Sequence, residues 1–288
     1  MRGALALKIR TFLTVNILLA ASVLAAEADS TKGQAAAGDG IPVKSLPVDP
    51  QKLVGEINGS YYHPDQLSEV KCAVAFDWSS FFSSLNAKVS DARMRSLNAL
   101  QIHYTATRGK RTDVKFNWVD GRADTADQLE DGIQQIISGF YQSYWPLMAS
   151  SPIAKASEIR RIEPQSDGTS KIFESDENNK VEIALDKNFA PAHWSFDSPA
   201  FKGAFDLEFK DSPTPVAGDL RRLSDLHVVT NTGANTMNVQ IKLNYQSVDG
   251  VNIPQHVTYD IVGAYSISLE FIGCSIAKNP DSIAAPAQ

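Results

Sequence analysis

The chain has few of the residues and motifs that mark catalytic or metal-binding proteins. It contains two cysteines and five histidines, and no two histidines lie within four residues of each other. It has no G-x-S-x-G, H-E-x-x-H, G-x-x-x-x-G-K-[ST] or C-x-x-C motif, so the usual signatures of hydrolases, zinc sites, phosphate loops and thiol redox sites are missing. We therefore assign no catalytic, cofactor-binding or metal-binding residue, and a binding or structural protein is favoured over an enzyme.

Positive charge is scarce once the first residues are set aside. Residues 1–25 hold three of the 27 basic residues and no acid, so 24 basic and 33 acidic residues remain, a formal net charge of −9. An acidic surface repels phosphate backbones, and no basic patch with interleaved aromatic residues is present. Nucleic acid is therefore not expected as a partner.

The only long apolar run lies at the start of the chain and predicts a secretory signal peptide over residues 1–25. Basic residues and no acids precede the apolar residues 11–24, as in the n-region and h-region of a signal. Small residues place the expected cleavage between Ala25 and Ala26. The run is short for a membrane span, so we expect no transmembrane segment after cleavage and a periplasmic or secreted bacterial protein. An uncleaved N-terminal anchor is the alternative.

Composition divides the rest of the chain. Residues 26–50 are rich in Ala, Gly, Pro and charge without an apolar period, which is typical of a flexible leader, and residues 279–288 are similar. Between them, residues 51–278 are long enough for one sizeable core, and we expect a single α+β domain.

The two cysteines, Cys72 and Cys274, lie near the two ends of this region, in apolar, strand-like surroundings. In an oxidising compartment an even pair usually forms a bridge, so we predict a structural disulfide between them. Two separately buried thiols are the alternative.

Strand patterns dominate the predicted domain. Residues 71–78 alternate between apolar and other side chains, a short helix capped by Asp77 or Ser79 competes with that strand over residues 76–79, and residues 100–118 form a predicted hairpin. After residue 157 about eight further antiparallel strands follow, with a turn at Asp249-Gly250 and a kink at Gly273.

One long amphipathic helix is predicted from Ala126 to about Tyr144. Its apolar face is rich in isoleucine and aromatic residues, Thr125 and Gln128 form a capping box, and Pro146 helps to end it. Such a wide apolar stripe needs a sheet to pack on. The fold class predicted is α+β, with a curved, half-barrel-like antiparallel sheet and this helix packed against it.

Residues 248–254, V-D-G-V-N-I-P, carry a resemblance to a known family. The segment resembles the D-G-x-x-[LI]-P motif of the periplasmic lipoprotein carriers (LolA/LolB-like), in which it joins two strands of a half-barrel. That resemblance implies helices that close the half-barrel over a lipid-holding cavity. The folded region as a whole also resembles exported bacterial proteins for which no activity is implied.

Three functions follow as hypotheses. The first is a periplasmic carrier of an apolar or lipid-like ligand, which requires an apolar cavity between helix 126–144 and the strands. The second is a structural or protein-binding component of the cell envelope with an envelope protein as partner. The third is a hydrolase assembled from distant residues, which a cleft holding His103 or His193 beside a carboxylate and a hydroxyl would favour.

Overall fold

The computed structural model describes residues 49–122, 126–147, 159–175, 180–197, 202–211, 220–231 and 236–279. These residues contain four helices and twelve strands. They group into two compact units, which we describe separately. Unit 1 comprises residues 64–150 and 239–288, and unit 2 comprises residues 24–63 and 151–238, within the described ranges. The predicted signal peptide, its cleavage site at Ala25-Ala26 and all but the last two residues of the predicted leader lie outside the described residues.

Unit 1 is an antiparallel sheet with helices on it. Its strands lie in the order β3-β2-β1-β12-β11-β10, where β10 begins in unit 2 and continues in unit 1 from Val239. The strands are β1 (Leu67–Phe76), β2 (Leu100–Thr107), β3 (Asp113–Trp118), β10 (Thr236–Val248), β11 (Val251–Ile261) and β12 (Tyr265–Lys278). Apolar and polar residues alternate along β2 and β12, so one face of the sheet is buried and the other is wet.

Three helices belong to unit 1: α2 (Trp78–Ser84), α3 (Asp91–Asn98) and α4 (Ala126–Leu147). Strand β1 ends at Phe76 and Asp77 caps α2 by accepting a hydrogen bond from the Ser80 backbone N–H, which decides the competing predictions over this segment. The long helix is confirmed, and it runs to Leu147, past Pro146. Thr125 of the predicted capping box lies outside the described residues.

Two predicted backbone irregularities are present in unit 1. Asp249 and Gly250 take φ angles of 50° and 76° and form the tight turn between β10 and β11, with Val248 paired to Val251. Gly273 has a φ of 58° and lies where the register between β1 and β12 shifts. Left-handed conformations favour glycine, which explains the residue type at both sites.

Unit 2 is a second antiparallel array, in the order β9-β8-β7-β6-β5-β4, with one short helix on it. The strands are β4 (Arg161–Pro164), β5 (Ser170–Ser175), β6 (Lys180–Leu185), β7 (Pro191–Asp197), β8 (Lys202–Lys210) and β9 (Arg222–Asn231). Helix α1 (Pro50–Asn58) places Leu53 and Ile57 in a buried cluster with Ile162, Ile172 and Ile183. Those three isoleucines are direct cross-strand neighbours, so one row of the sheet packs against the helix.

The antiparallel α+β class with a curved, unclosed sheet is confirmed. Helices α1 and α3 were not predicted; α1 begins at Pro50 with Asp49 as its cap, inside the last two residues of the predicted leader. The single domain over residues 51–278 stays a prediction, because compactness of the two units does not show whether they unfold together. Over the described ranges, no helix combines the length and hydropathy needed to cross a membrane.

Candidate functional site: a groove on unit 2

The polar face of unit 2 carries an open groove of about 840 Å³. Its central row crosses all six strands through consecutive cross-strand pairs. From β4 to β9 this row is Arg161, Phe173, Glu182, Ser195, Ala204 and Val229. At about 4.8 Å per strand, the row is about 24 Å long. We call this surface the unit 2 groove.

The groove lies opposite the helix-covered face. Each residue of the central row is adjacent in sequence to a residue of the core row, such as Phe173 beside the fully buried Ile172 and Ala204 beside Phe205. Successive side chains of a strand point to opposite faces, so the groove and the α1 contact occupy different sides of the sheet. The surface is depressed at the middle of the row because Ser195 and Ala204 have small side chains.

Charged residues border the groove. Lys180, Asp197, Lys202 and Asn231 form the neighbouring row, again through direct cross-strand pairs. Lys202 donates to Asp197 at 2.9 Å, and Lys171 donates to Glu182 at 2.5 Å. The basic side chains that line the groove are Arg160, Arg161, Lys180 and Lys202, and the acidic ones are Glu182 and Asp197. It is therefore net positive on a chain whose formal net charge is −6.

One end of the groove combines a cation with an aromatic ring. The Arg161 guanidinium carbon lies 4.2 Å from the ring centroid of Phe173, and its Nε lies 3.1 Å from the Glu163 carboxylate. The contact with the ring is a cation–π interaction. It places the guanidinium against the Phe173 ring, while the Arg161 side chain remains largely exposed to solvent.

On the other side of the central row, two histidines share one carboxylate. His193 Nδ1 lies 2.6 Å from one oxygen of Asp206, and His227 Nδ1 lies 3.4 Å from the other. His227 Nε2 lies 2.7 Å from the Asn238 side-chain oxygen. Asp206 is thus the centre of a row of polar contacts across β7, β8, β9 and β10, which we call the polar ladder.

This ladder meets only part of the requirement for a hydrolase. His193 does lie beside a carboxylate, and Ser195 is on the same face, but no hydrogen bond joins the serine to the histidine among the described residues. His103 lies on the exposed side of β2 in unit 1, opposite Lys115. Within the described ranges, no group of three or more His, Cys, Asp or Glu side chains, the His193, Asp206 and His227 contacts included, has an arrangement that could hold a metal ion.

A second histidine–hydroxyl pair occurs in unit 1. His256 Nε2 lies 2.9 Å from the Ser268 hydroxyl, and the Asp77 backbone N–H donates to the Ser268 carbonyl. Hydrogen bonds from Ser80, and more weakly the charge of His256, lower the pKa of Asp77. Strand β12 lies between β1 and β11, however, so Ser268 lies between the acid and the histidine. A catalytic triad needs the histidine in the middle, and this order does not supply it.

The predicted cysteine pair meets in unit 1. Cys72 on β1 and Cys274 on β12 have Sγ atoms 2.01 Å apart and Cα atoms 4.2 Å apart, so the pair is compatible with a disulfide. The buried Tyr104 hydroxyl donates to Cys72 Sγ at 3.1 Å, and the Gln246 amide donates to Cys274 Sγ at 3.3 Å.

The face between α4 and the strands of unit 1 is where a lipid cavity was expected. Aromatic rings occupy it instead: Phe140, Tyr141 and Tyr144 on the helix are buried against Tyr104 and Phe271. Tyr141 lies 5.1 Å from Tyr104 between ring centroids, and Phe140 lies 6.1 Å from Phe271. The Tyr141 and Tyr104 hydroxyls are hydrogen-bonded to each other, and burial raises the pKa of both. This interface is packed as a core.

Sequence reasoning did not find the groove. Its lining comes from six strands, and which residues stand beside each other depends on strand register, which the sequence does not display. The available signal was the alternation of charged residues along β6 and β8, which marks a solvated face without locating a concavity on it.

No protein family and no curated protein matches the chain. Among solved structures, the crystal structure of MucB in complex with MucA(peri) aligns with 82% of this chain and 95% of that chain. The identity is 10% and the TM-score is 0.16, a similarity from which we draw no conclusion about fold or function.

Proposed function

We propose that this protein is an exported component of the bacterial cell envelope that binds another protein through the unit 2 groove. The observation that carries the proposal is the groove itself. It is long and open to solvent, it has the small side chains of Ser195 and Ala204 in its middle, and it is lined by charges of both signs. Mixed charge around a partly apolar centre is the usual composition of a protein-binding surface.

An open groove suits a protein better than a small apolar ligand. Binding sites for small molecules enclose most of the ligand surface, whereas an apolar chain lying in this groove would keep one side in water between Lys180 and Lys202. The packed aromatic interface of α4 adds a second reason, because it fills the position at which a carrier of the LolA/LolB type would hold lipid. We therefore place the lipid-carrier function second.

Export is part of the proposal. The basic and apolar segment at residues 1–25 supports it, and so does a cysteine pair at disulfide distance, because disulfides persist in oxidising compartments. The proposed location is the periplasm or the cell exterior.

Photo-crosslinking in the host tests the function. A photoreactive amino acid replaces Val229 in the groove, or Lys242 on the exposed side of β10 in unit 1 as the control position. We expect a discrete crosslink to one envelope protein from position 229, none from position 242, and loss of the product when Ala204→Arg fills the groove. Circular dichroism of each variant checks folding. The proposal fails if position 229 gives no product, or if the product persists in the Ala204→Arg variant.

A further inference from the structure

The positive charge of the unit 2 groove is concentrated at one end. Arg160, Arg161 and Lys180 line the part formed by β4 to β6, whereas Lys202 farther along is paired with Asp197 at 2.9 Å. Lys180 forms no ion pair with any residue that the structure describes. Arg161 is paired with Glu163 and Glu182 is paired with Lys171, so Lys180 is the cation of this end toward which a carboxylate of a partner is directed.

We propose that the groove binds an extended, anionic segment of a partner protein, with a carboxylate at the β4–β6 end and an apolar side chain over Ala204. The inference rests on the proposed function and names the chemistry of the partner. An acidic residue supplies a counter-charge for Lys180 at the basic end. An apolar residue packs on the small side chains of Ser195 and Ala204, next to the apolar Val229.

The segment is bound by side chains rather than as an added strand. Strands β5, β6, β7 and β8 each have an antiparallel neighbour on both sides, so their backbone N–H and C=O groups are already used in the sheet. Addition of a strand needs an unpaired edge. The central row of the groove crosses the strands, and an extended segment that follows it also runs across them.

The strand positions give the spacing of the two recognised residues. Lys180 is in register with Asp197 and Lys202, and Ala204 lies two residues beyond Lys202 on β8. The two positions are therefore about 10 Å apart across the strands and about 7 Å apart along them, or about 12 Å in all. An extended chain covers about 3.3 Å per residue, so the acidic and apolar residues of the segment are about three to four positions apart. This makes the inference specific enough for synthetic peptides.

The inference is tested by titrating the full mature, non-reduced protein with defined peptides while its amide chemical shifts are measured by NMR. The probe is a ten-residue Gly and Ser peptide with acetylated and amidated ends. It carries one leucine and two glutamates, which lie three and four positions before the leucine. Matched peptides carry lysines for the glutamates, or serine for the leucine. We expect shifts at the groove residues with the acidic peptide and at least tenfold weaker binding of both matched peptides.

Charge reversal in the protein supplies the second arm. Lys180→Glu is expected to weaken binding of the acidic peptide at least fivefold, whereas Lys242→Glu, an exposed strand lysine in unit 1, is expected to leave it within twofold. Equal binding of the lysine peptide, unchanged binding after Lys180→Glu, no binding of the acidic peptide, or shifts outside the groove would overturn the inference.

The two proposals fail separately. If the crosslink from position 229 forms but the acidic peptide does not bind, the groove binds a protein of different chemistry and only the present inference is lost. If no crosslink forms, the proposed function is lost, whatever the peptides do.

Discussion

Cys72 on β1 and Cys274 on β12 face each other at a sequence separation of 202. Cys72 lies on β1, the first strand, and Cys274 lies on β12, the last strand. A bond between them therefore closes most of the described residues into one loop. The Tyr104 hydroxyl and the Gln246 amide each donate to one of the sulfurs.

We predict that this pair is oxidised in the exported protein and stabilises it. The intact mass of the non-reduced protein should be two hydrogens below that of the reduced chain. The double variant Cys72→Ala with Cys274→Ala should lose about 2–5 kcal/mol of unfolding free energy in urea, because closing a long loop restricts the unfolded chain. Reduced wild type, run beside it, should unfold at a similar midpoint. Equal midpoints for the variant and the oxidised wild type would contradict the prediction.

The proposed export through a signal peptide predicts the first residue of the mature protein. The protein isolated from its host should begin at Ala26, because cleavage follows Ala25. N-terminal sequencing or intact mass measures this directly. Replacing Ala25 with a large residue, Ala25→Phe, should leave the precursor uncleaved, while Ala26→Ser should be processed normally. A mature chain that still carries Met1 would show that the apolar segment is retained as an anchor.

The turn between β10 and β11 depends on a left-handed glycine. Gly250 has a φ of 76° and no atom within 4 Å of an added Cβ, so Gly250→Ala strains the backbone without a clash. It should cost about 1–2 kcal/mol of unfolding free energy. Gly55→Ala in the interior of α1 is the matched control, since space is also open there and the conformation is helical. That change should stabilise by up to about 1 kcal/mol. Opposite signs in urea denaturation are the expected outcome.

The carboxylate of Asp77 stabilises helix α2 as its cap. Asp77→Ala should cost about 1 kcal/mol at neutral pH, because the Ser80 backbone N–H then loses its acceptor. The pKa of Asp77 in the folded protein is lowered from 3.8, so its contribution is complete above that value and is lost as the pH falls through the lower, folded value. The difference between wild type and variant should shrink only below about pH 4. Asp113→Ala, at an exposed acid on β3, serves as control.

Two substitutions on α4 separate packing from hydrogen bonding. Phe140→Ala removes a buried ring that packs against Tyr141 and Phe271, and it should cost about 3–5 kcal/mol. Tyr141→Phe keeps the ring and removes only the hydroxyl that bonds Tyr104, so it should cost about 1 kcal/mol. If both variants lost the same free energy in urea denaturation, the interface would not be the packed core described above.

The elements that could be predicted are those whose signal is local. Alternation identified the strands from β4 to β12, the apolar stripe identified α4, and the Asp-Gly pair identified the β10–β11 turn, because each is written in a few consecutive residues. Helix α3 was missed since Leu97 is its single buried residue and leaves no apolar period. Helix α1 was missed although Asp49-Pro50 before Leu53 and Ile57 is a start signal, because it adjoins a segment of linker composition.

The amino-acid sequence by itself determined the antiparallel α+β class and the long helix. Because it holds only two cysteines, it also determined that a disulfide within the chain could join only Cys72 and Cys274. Tertiary structure alone decided that aromatic rings fill the α4 interface. It also decided that Phe173, Glu182, Ser195, Ala204 and Val229 form one row of a groove. The physical reason is strand register: a shift of one residue would turn this row toward the core, and no local pattern specifies the cross-strand neighbours of a half-exposed side chain.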